Sequence, residues 1–429
     1  MRDIPFELFA GAVPSPIAVY RPAGVGALRN VPAFSLGIAH RVVPNVAVGG
    51  PVTQVQEATP GSTIPFRRAT TFRVAQLQTT SQLITGATVQ VDVVIEGSGY
   101  IYGIDLHINA TTAGNAAAVA FAEDAPWNAS DTIVLRDVNG ELINLTGYHK
   151  RLLDLYGGYV KFKDAPVRGE TAPSADTANI FNVVTGGGGT GGSFRQHLFV
   201  PCGLNRRDLR GILGNQDRAQ KYSLRSDVAA STAIYTTAPT TLPTINIERH
   251  YENYAVPSAT NANGAPQEQY PPDFGILHYQ TQSVNPNAPV GAATINHFLS
   301  RIGNTVRLLV VVLRSGVGTT PRNTAEGTLP SRIQFNLGDT PIFVESAAYR
   351  RMLMFRRYGF DAPLGVFVYD FMTDIISIAG DELGDDYLFT NGLVNAQFQV
   401  AYPAGYAAGS TFTVLTDDLV IPATVDIYA

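Results

Sequence analysis

The chain has 429 residues, 41 of them Gly and 27 Pro; only 15% are charged, and the formal net charge is −5. A turn-rich, weakly charged chain of this kind excludes a helical bundle. It also excludes a direct packager of nucleic acid, which would carry a Lys/Arg-rich arm. The length suits two or three domains with ample core. The single cysteine, Cys202, rules out an intrachain disulfide and a Cys-type zinc site. The N-terminal MRDIPFELFAG is too short and polar for a signal peptide, and no apolar run approaches the ~20 residues that span a bilayer. The expectation is a chain that folds in a reducing cytoplasm.

Residues 1–65 mix Pro and Gly (Pro14, Pro16, Pro22, Gly24, Gly26) with Phe6, Leu8, Phe9 and Tyr20, which predicts an extended arm lying on a partner. Strand patterns begin at Thr71. TFRVAQLQT is followed by ATVQVDVVIE, with Val89, Val91 and Val93 on one face, and by YIYGIDLHINA, with Ile101, Ile104, Leu106 and Ile108. AAAVAFAEDAPW (116–127) reads as a further strand closed by Pro126 and Trp127. In 131–159 an alternating strand from Ile133 turns at Asn139-Gly140, a pair suited to positive φ, and resumes at Leu142. Thr146 then caps a short helix carrying Tyr148, Leu152, Leu155 and Tyr156, which Gly157-Gly158 stop. A short strand is expected at 159–164, a long exposed loop over 165–195, and strands at RQHLFVP, QKYSLRS and TINIERHY.

Residues 256–272 read as a linker between a first domain (66–255) and a second (273–429). The second opens with GILHYQTQS, then a helical pattern in TINHFLSRIG, then VRLLVVVLR (306–314), apolar enough to be buried on both faces. A Gly/Thr/Pro loop follows at 315–331. In 333–360 the earlier design returns: Ile333 and Phe335 alternate, Gly338-Asp339 turn, Ile342 to Val344 extend, Ser346 caps a helix with Tyr349, Met352 and Leu353, and Tyr358-Gly359 end it. A second echo pairs LFVPCGLNRRDLRGIL (198–213) with VFVYDFMTDIISIAG (366–380). GVFVYDF, VNAQFQVAYP and STFTVLTD supply the closing strands. The fold class expected is all-β: two tandem eight-stranded jelly-roll β-sandwiches with short inserted helices and an extended N-terminal arm.

Catalytic, cofactor and metal residues are all expected to be none. The seven histidines (40, 107, 149, 197, 250, 278, 297) are scattered singly, without HExxH. Gly186, Gly188 and Gly191 match GxGxxG, but a strand pattern follows where a phosphate site needs a helix. DELGDD (381–386) lacks the alternating ligands of an EF-hand and reads as a solvated acidic loop. There is no GxSxG elbow.

Four segments carry a resemblance: YIYGIDLHINA running into DAPWNASDTIVLRDVNGELI, the helix TGYHKRLLDLYGGY, FVPCGLNRRDLRGILGNQDRAQKYSLRS, and IQFNLGDTPIFVESAAYRRMLMFRRYG. With these the chain resembles, over about 70–429, the major capsid proteins of the double jelly-roll lineage, as in tectivirus-like, tailless icosahedral bacteriophages with an internal membrane. The resemblance implies a structural, non-enzymatic protein that trimerises into pseudo-hexagonal capsomers of a virion shell. Loops 165–195 and 315–331 would project outward as towers. The arm would lie near the inner face and membrane, penton and minor capsid proteins would be partners, and nucleic acid would not be touched. The alternative is a two-domain β-sandwich that binds or hydrolyses carbohydrate, through paired carboxylates that meet only in three dimensions. A spike or receptor-binding β protein is a third, weaker reading.

Overall fold

The computed structural model describes residues 63–97, 99–112, 117–160, 182–185, 191–216, 221–285, 293–314, 329–372, 387–393, 395–404 and 410–420. Residues 1–62 of the expected arm lie outside the described residues, as do GGGGT (186–190), DELGDD and most of the two expected tower loops. Residues 61–429 form one compact unit.

The first group of strands is β1 (Phe72–Gln76), β2 (Thr80–Leu83), β3 (Asp92–Ile95), β4 (Tyr100–Thr111), β5 (Ala120–Phe121), β6 (Ser130–Arg136), β7 (Glu141–Leu145), β8 (Asn182–Val183), β9 (Phe194–Pro201), β10 (Leu213–Gly214), β11 (Tyr222–Val228), β12 (Tyr235–Thr237) and β13 (Thr244–Tyr254). The second is β14 (Leu277–Asn285), β15 (Ala293–Phe298), β16 (Thr305–Arg314), β17 (Arg332–Leu337), β18 (Thr340–Glu345), β19 (Val366–Asp370), β20 (Leu388–Phe389), β21 (Ala396–Tyr402) and β22 (Thr411–Val420). Helix α1 (Gly147–Tyr156) follows β7, and helix α2 (Ala347–Tyr358) follows β18.

Hydrogen bonding orders the first group as β1–β13–β4–β9 in one sheet and β3–β11–β6–β7 in the other. The second group repeats that order, β14–β22–β16–β19 and β15–β21–β17–β18. First strand beside last, third beside sixth, with the two orders facing each other, is jelly-roll topology, and the chain contains it twice. Each helix leaves the same edge strand and returns into the same strand of the opposite sheet.

Alternation drives each sandwich. In β13 intermediate and buried residues alternate, and Ile245, Ile247 and Tyr251 point inward. Ile104 and Leu106 of β4 join Ile133 and Leu135 of β6 and Leu224 of β11 in one apolar cluster. In β16 nine of ten residues are buried. Val306, Leu309, Val311 and Leu313 fill the second sandwich, while Leu308, Val310 and Val312 belong to the cluster shared with the first. The both-face burial expected of this strand is what the structure has.

Four local expectations differ. TINHFLSRIG is not helical: Ala293–Phe298 is β15, paired along its length with β21. Its His297 ring lies flat on Phe412, 3.9 Å between centroids, and shares a 2.8 Å hydrogen bond with Tyr402 Oη. Cross-sheet partners thus override the local helical spacing. In 116–127 only Ala120–Phe121 is strand, because the run ends in a turn and a 3-10 turn at Trp127–Ala129. Tyr159 and Val160 form a bend, and the rest of 159–164 lies outside the described residues. At Asn139-Gly140 the asparagine does not take positive φ. Instead the Asp137 carboxylate accepts from the Asn139 and Gly140 N–H groups, each at 2.7 Å, and closes the turn itself.

Candidate functional site

The two sandwiches meet through an edge-to-edge strand pair and a buried polar knot. β7, the outer strand of its sheet, pairs in parallel with β14 at Gln280↔Ile143 and Thr281↔Asn144, so one nine-stranded sheet runs through both sandwiches. Helix α1 then lies against β22, and Leu152, Leu153 and Tyr156 share a cluster with Leu308, Val310, Leu415 and Leu419. Nine of its ten residues are buried.

At the centre of this seam Asp417 of β22 is fully buried. Its carboxylate pairs with His278 Nε2 at 2.7 Å and accepts from Tyr159 Oη at 2.8 Å, Arg307 Nη1 at 3.1 Å and Gln280 Nε2 at 3.3 Å. Arg307 also donates through Nη2 to the Gly157 carbonyl at 2.6 Å, tying the second sandwich to the end of α1. Burial alone would raise the Asp417 carboxyl, but the charges of His278 and Arg307 hold it well below the usual range. A carboxylate, an imidazole and a phenol in contact have the composition of a catalytic group. Here both His278 and Asp417 side chains are sealed from solvent. The knot fastens the sandwiches. Deeper in the first sandwich the α1 pair Lys150–Asp154 is likewise buried, with Asp154 accepting from Phe199 N–H at 3.1 Å.

Among the described residues, the second sandwich presents the same two elements largely uncovered, only the end of α2 meeting the first sandwich where the Tyr358 ring lies 5.0 Å from that of Tyr156. β18 is an outer strand whose Ile342 and Val344 are 42% and 54% exposed. On α2, Tyr349, Met352 and Phe355 are 50%, 53% and 50% exposed, and only Ala347, Arg350 and Met354 are buried. Equivalent elements are therefore covered in one sandwich and open in the other. At the far edge of the first sandwich, β1 and β2 expose Val74 and Leu83 at 57% and 52%.

The histidines divide by environment. His149, His278 and His297 are buried; His107, His197 and His250 stand on the outer face of the β13–β4–β9 sheet beside Glu248 and Asp105; His40 lies outside the described residues. Among the described residues no group of three or more His, Cys, Asp and Glu is placed to hold a metal ion. No helix among them is long and apolar enough to cross a membrane. Sequence reasoning missed the knot, because Gly157, Tyr159, His278, Arg307 and Asp417 are scattered along the chain.

Neither a protein-family model nor a curated protein matches the sequence. Solved structures do match. The crystal structure of the STIV MCP aligns with a TM-score of 0.55 at 15% identity, over 83% of this chain and 100% of that one. The atomic structure of Sulfolobus Turreted Icosahedral Virus gives 0.55 at 14%, over 82% and 91%, and the PBCV-1 virus capsid gives 0.52 at 12%, over 84% and 96%. The fold is that of the double jelly-roll capsid proteins. The likeness runs over more than four fifths of this chain at 12–15% identity.

Proposed function

We propose that this chain is the structural major capsid protein of an icosahedral virion, that it has no enzymatic activity, and that three copies form a pseudo-hexagonal capsomer. The observation that carries the reading is the unequal fate of equivalent edges. Within the chain, the β7 edge and α1 of the first sandwich are covered by the β14–β22–β16–β19 sheet of the second. The β18 edge and α2 of the second carry the same geometry and, among the described residues, are exposed at Ile342, Val344, Tyr349, Met352 and Phe355. A second copy can cover them with its first sandwich, and repeating the step generates a ring in which six similar sandwiches come from three chains. Such head-to-tail contacts close into rings when the rotation allows.

The reading extends to partners and place. It puts the protein in the virion shell after synthesis and assembly in the host cytoplasm, with penton and minor capsid proteins as neighbours and no direct contact with nucleic acid. It keeps 1–65 as an arm toward an internal membrane, 66–255 and 273–429 as the two jelly rolls, and 256–272 as the linker. The capsid identity of the structural neighbours supports it. Light scattering on the eluting protein tests it: the expected mass is three times the 45.9 kDa chain, stable to dilution. A clean monomer would overturn the capsomer and turn attention to the carbohydrate-acting alternative.

A further inference from the structure

The internal repeat specifies which surface should cover α2. In the chain, α1 rests on the outer face of β14–β22–β16–β19, which is apolar around Leu308, Val310, Leu415 and Leu419. The equivalent surface on the first sandwich is the outer face of β1–β13–β4–β9. It is built differently. Glu248, His250 and Glu252 alternate outward along β13, and Asp105 and His107 do so along β4. Direct pairing places His107 beside Glu248 and Asp105 beside His250. His107 Nδ1 lies 3.6 Å from Glu248 Oε2, His250 Nε2 lies 3.9 Å from it, and Arg206 Nη2 lies 3.2 Å from Glu252 Oε1. Arg206 is exposed and the others are partly so.

The helix that would land there is basic. AAYRRMLMFRRY contains four arginines and no carboxylate. Arg350 is engaged by Glu345 and Arg357 by Asp370 within the same sandwich. Arg356 is exposed, and helical spacing puts it on the face of Tyr349 and Met352.

We propose that the carboxylate–histidine face of the β1–β13–β4–β9 sheet is the docking surface for α2 of a second copy of this chain, with Arg356 set against the Glu248–Glu252 row and the β18 edge alongside β1. The inference rests on the trimeric reading and adds the two surfaces and their chemistry. The seam inside the chain is apolar around two buried ionic contacts, the Asp417 knot and the Arg314–Asp124 pair. The seam between chains sets an arginine-bearing aromatic helix on a sheet face of carboxylates and imidazoles that also carries Arg195 and on which Glu252 is paired with Arg206, so that Glu248 is the carboxylate offered to Arg356. Opposite charge on Arg356 and Glu248 favours this pairing.

The test is a charge swap read by light scattering over a dilution series, with circular dichroism to verify folding. Wild type is expected to be trimeric. Arg356→Glu and Glu248→Arg should each raise the concentration of half-dissociation at least 10-fold, and the double variant should recover most of that loss. Because Cys202 is buried, cysteines placed at Met352 and His250 can be joined by a short bis-maleimide without interference, and three covalently linked chains are expected on a denaturing gel. A wild-type trimer whose stability ignores both charge reversals, or which gives no linked chains, overturns this seam and leaves the capsid reading standing. A wild-type monomer removes the trimer itself and this inference with it.

Discussion

Replacing Arg307 with Met tests whether the buried knot holds the two sandwiches as one unit. The guanidinium is fully buried and donates to the Asp417 carboxylate, the Tyr159 hydroxyl and the Gly157 carbonyl. Its removal leaves Asp417 charged in a sealed site with only its contacts to His278, Tyr159 and Gln280, a situation that costs ~3–5 kcal/mol. Removing both charges, as in Arg307→Met with Asp417→Leu, should recover most of that loss, since an apolar pair in a buried site is often as stable as the ion pair. The assay is urea unfolding at fixed protein concentration, followed by the fluorescence of Trp127. This tryptophan is the only one in the chain, is fully buried, and sits in the first sandwich under the Arg151 guanidinium at 4.5 Å. A change made in the second sandwich therefore has to cross the seam to be seen. Arg136→Ala is the control, because the Arg136–Glu141 pair is 41% and 37% exposed and is worth at most ~1 kcal/mol. If Arg307→Met moves the Trp127 transition no more than this control does, the knot does not couple the sandwiches and the reasoning fails.

Gly147→Ala should destabilise by ~1–3 kcal/mol, although alanine is the better helix former, because its Cβ would lie 2.2 Å from the Trp127 carbonyl oxygen; a rise in melting temperature would contradict that packing. Burial depresses His149 and His297 to about 4, so the unfolded chain takes up these protons first and their contribution is lost as pH falls from about 6.5 to about 4. Burial raises Asp418 to about 6 and also raises Asp154, Asp370 and Glu252, which act in the opposite sense. The histidine part is isolated by replacement: across this range the melting temperature of the wild type should fall more than that of a His149→Gln, His297→Gln double variant, and parallel profiles would refute the assignment. The Cys202 thiol is pushed up by burial and should resist thiol reagents in the folded protein while reacting fully in denaturant.

Much of the fold was legible because its signals are local. Thr146 and Ser346 read as caps, and in the structure their hydroxyls accept from His149 N–H at 3.3 Å and Tyr349 N–H at 3.2 Å. The repeated order of strand, turn, strand and capped helix proved to be the same edge of the two sandwiches, and the second echo begins in β9 and β19, which hold equivalent places beside β4 and β16. What stayed hidden depends on partners distant in sequence. β15 looked helical because its apolar spacing fits both periods, and β21 decides between them. Nothing in the two helix sequences says that α1 is buried and α2 open, since that difference is made by β14 and β22 rather than by the helices. The sealed carboxylate at position 417 was invisible for the same reason.

The parallel pairing of β7 with β14 also sets an order of events during synthesis. When α1 and the β7 edge have emerged from the ribosome, the strands that cover them have not; β22, which lies against α1, ends at Val420. At ~5–20 residues per second, the first sandwich waits on the order of tens of seconds with an unpaired strand and an uncovered helix. During that interval the nascent chain is open to pairing with other nascent chains, so high-level expression places a demand on host chaperones that the finished double sandwich no longer makes.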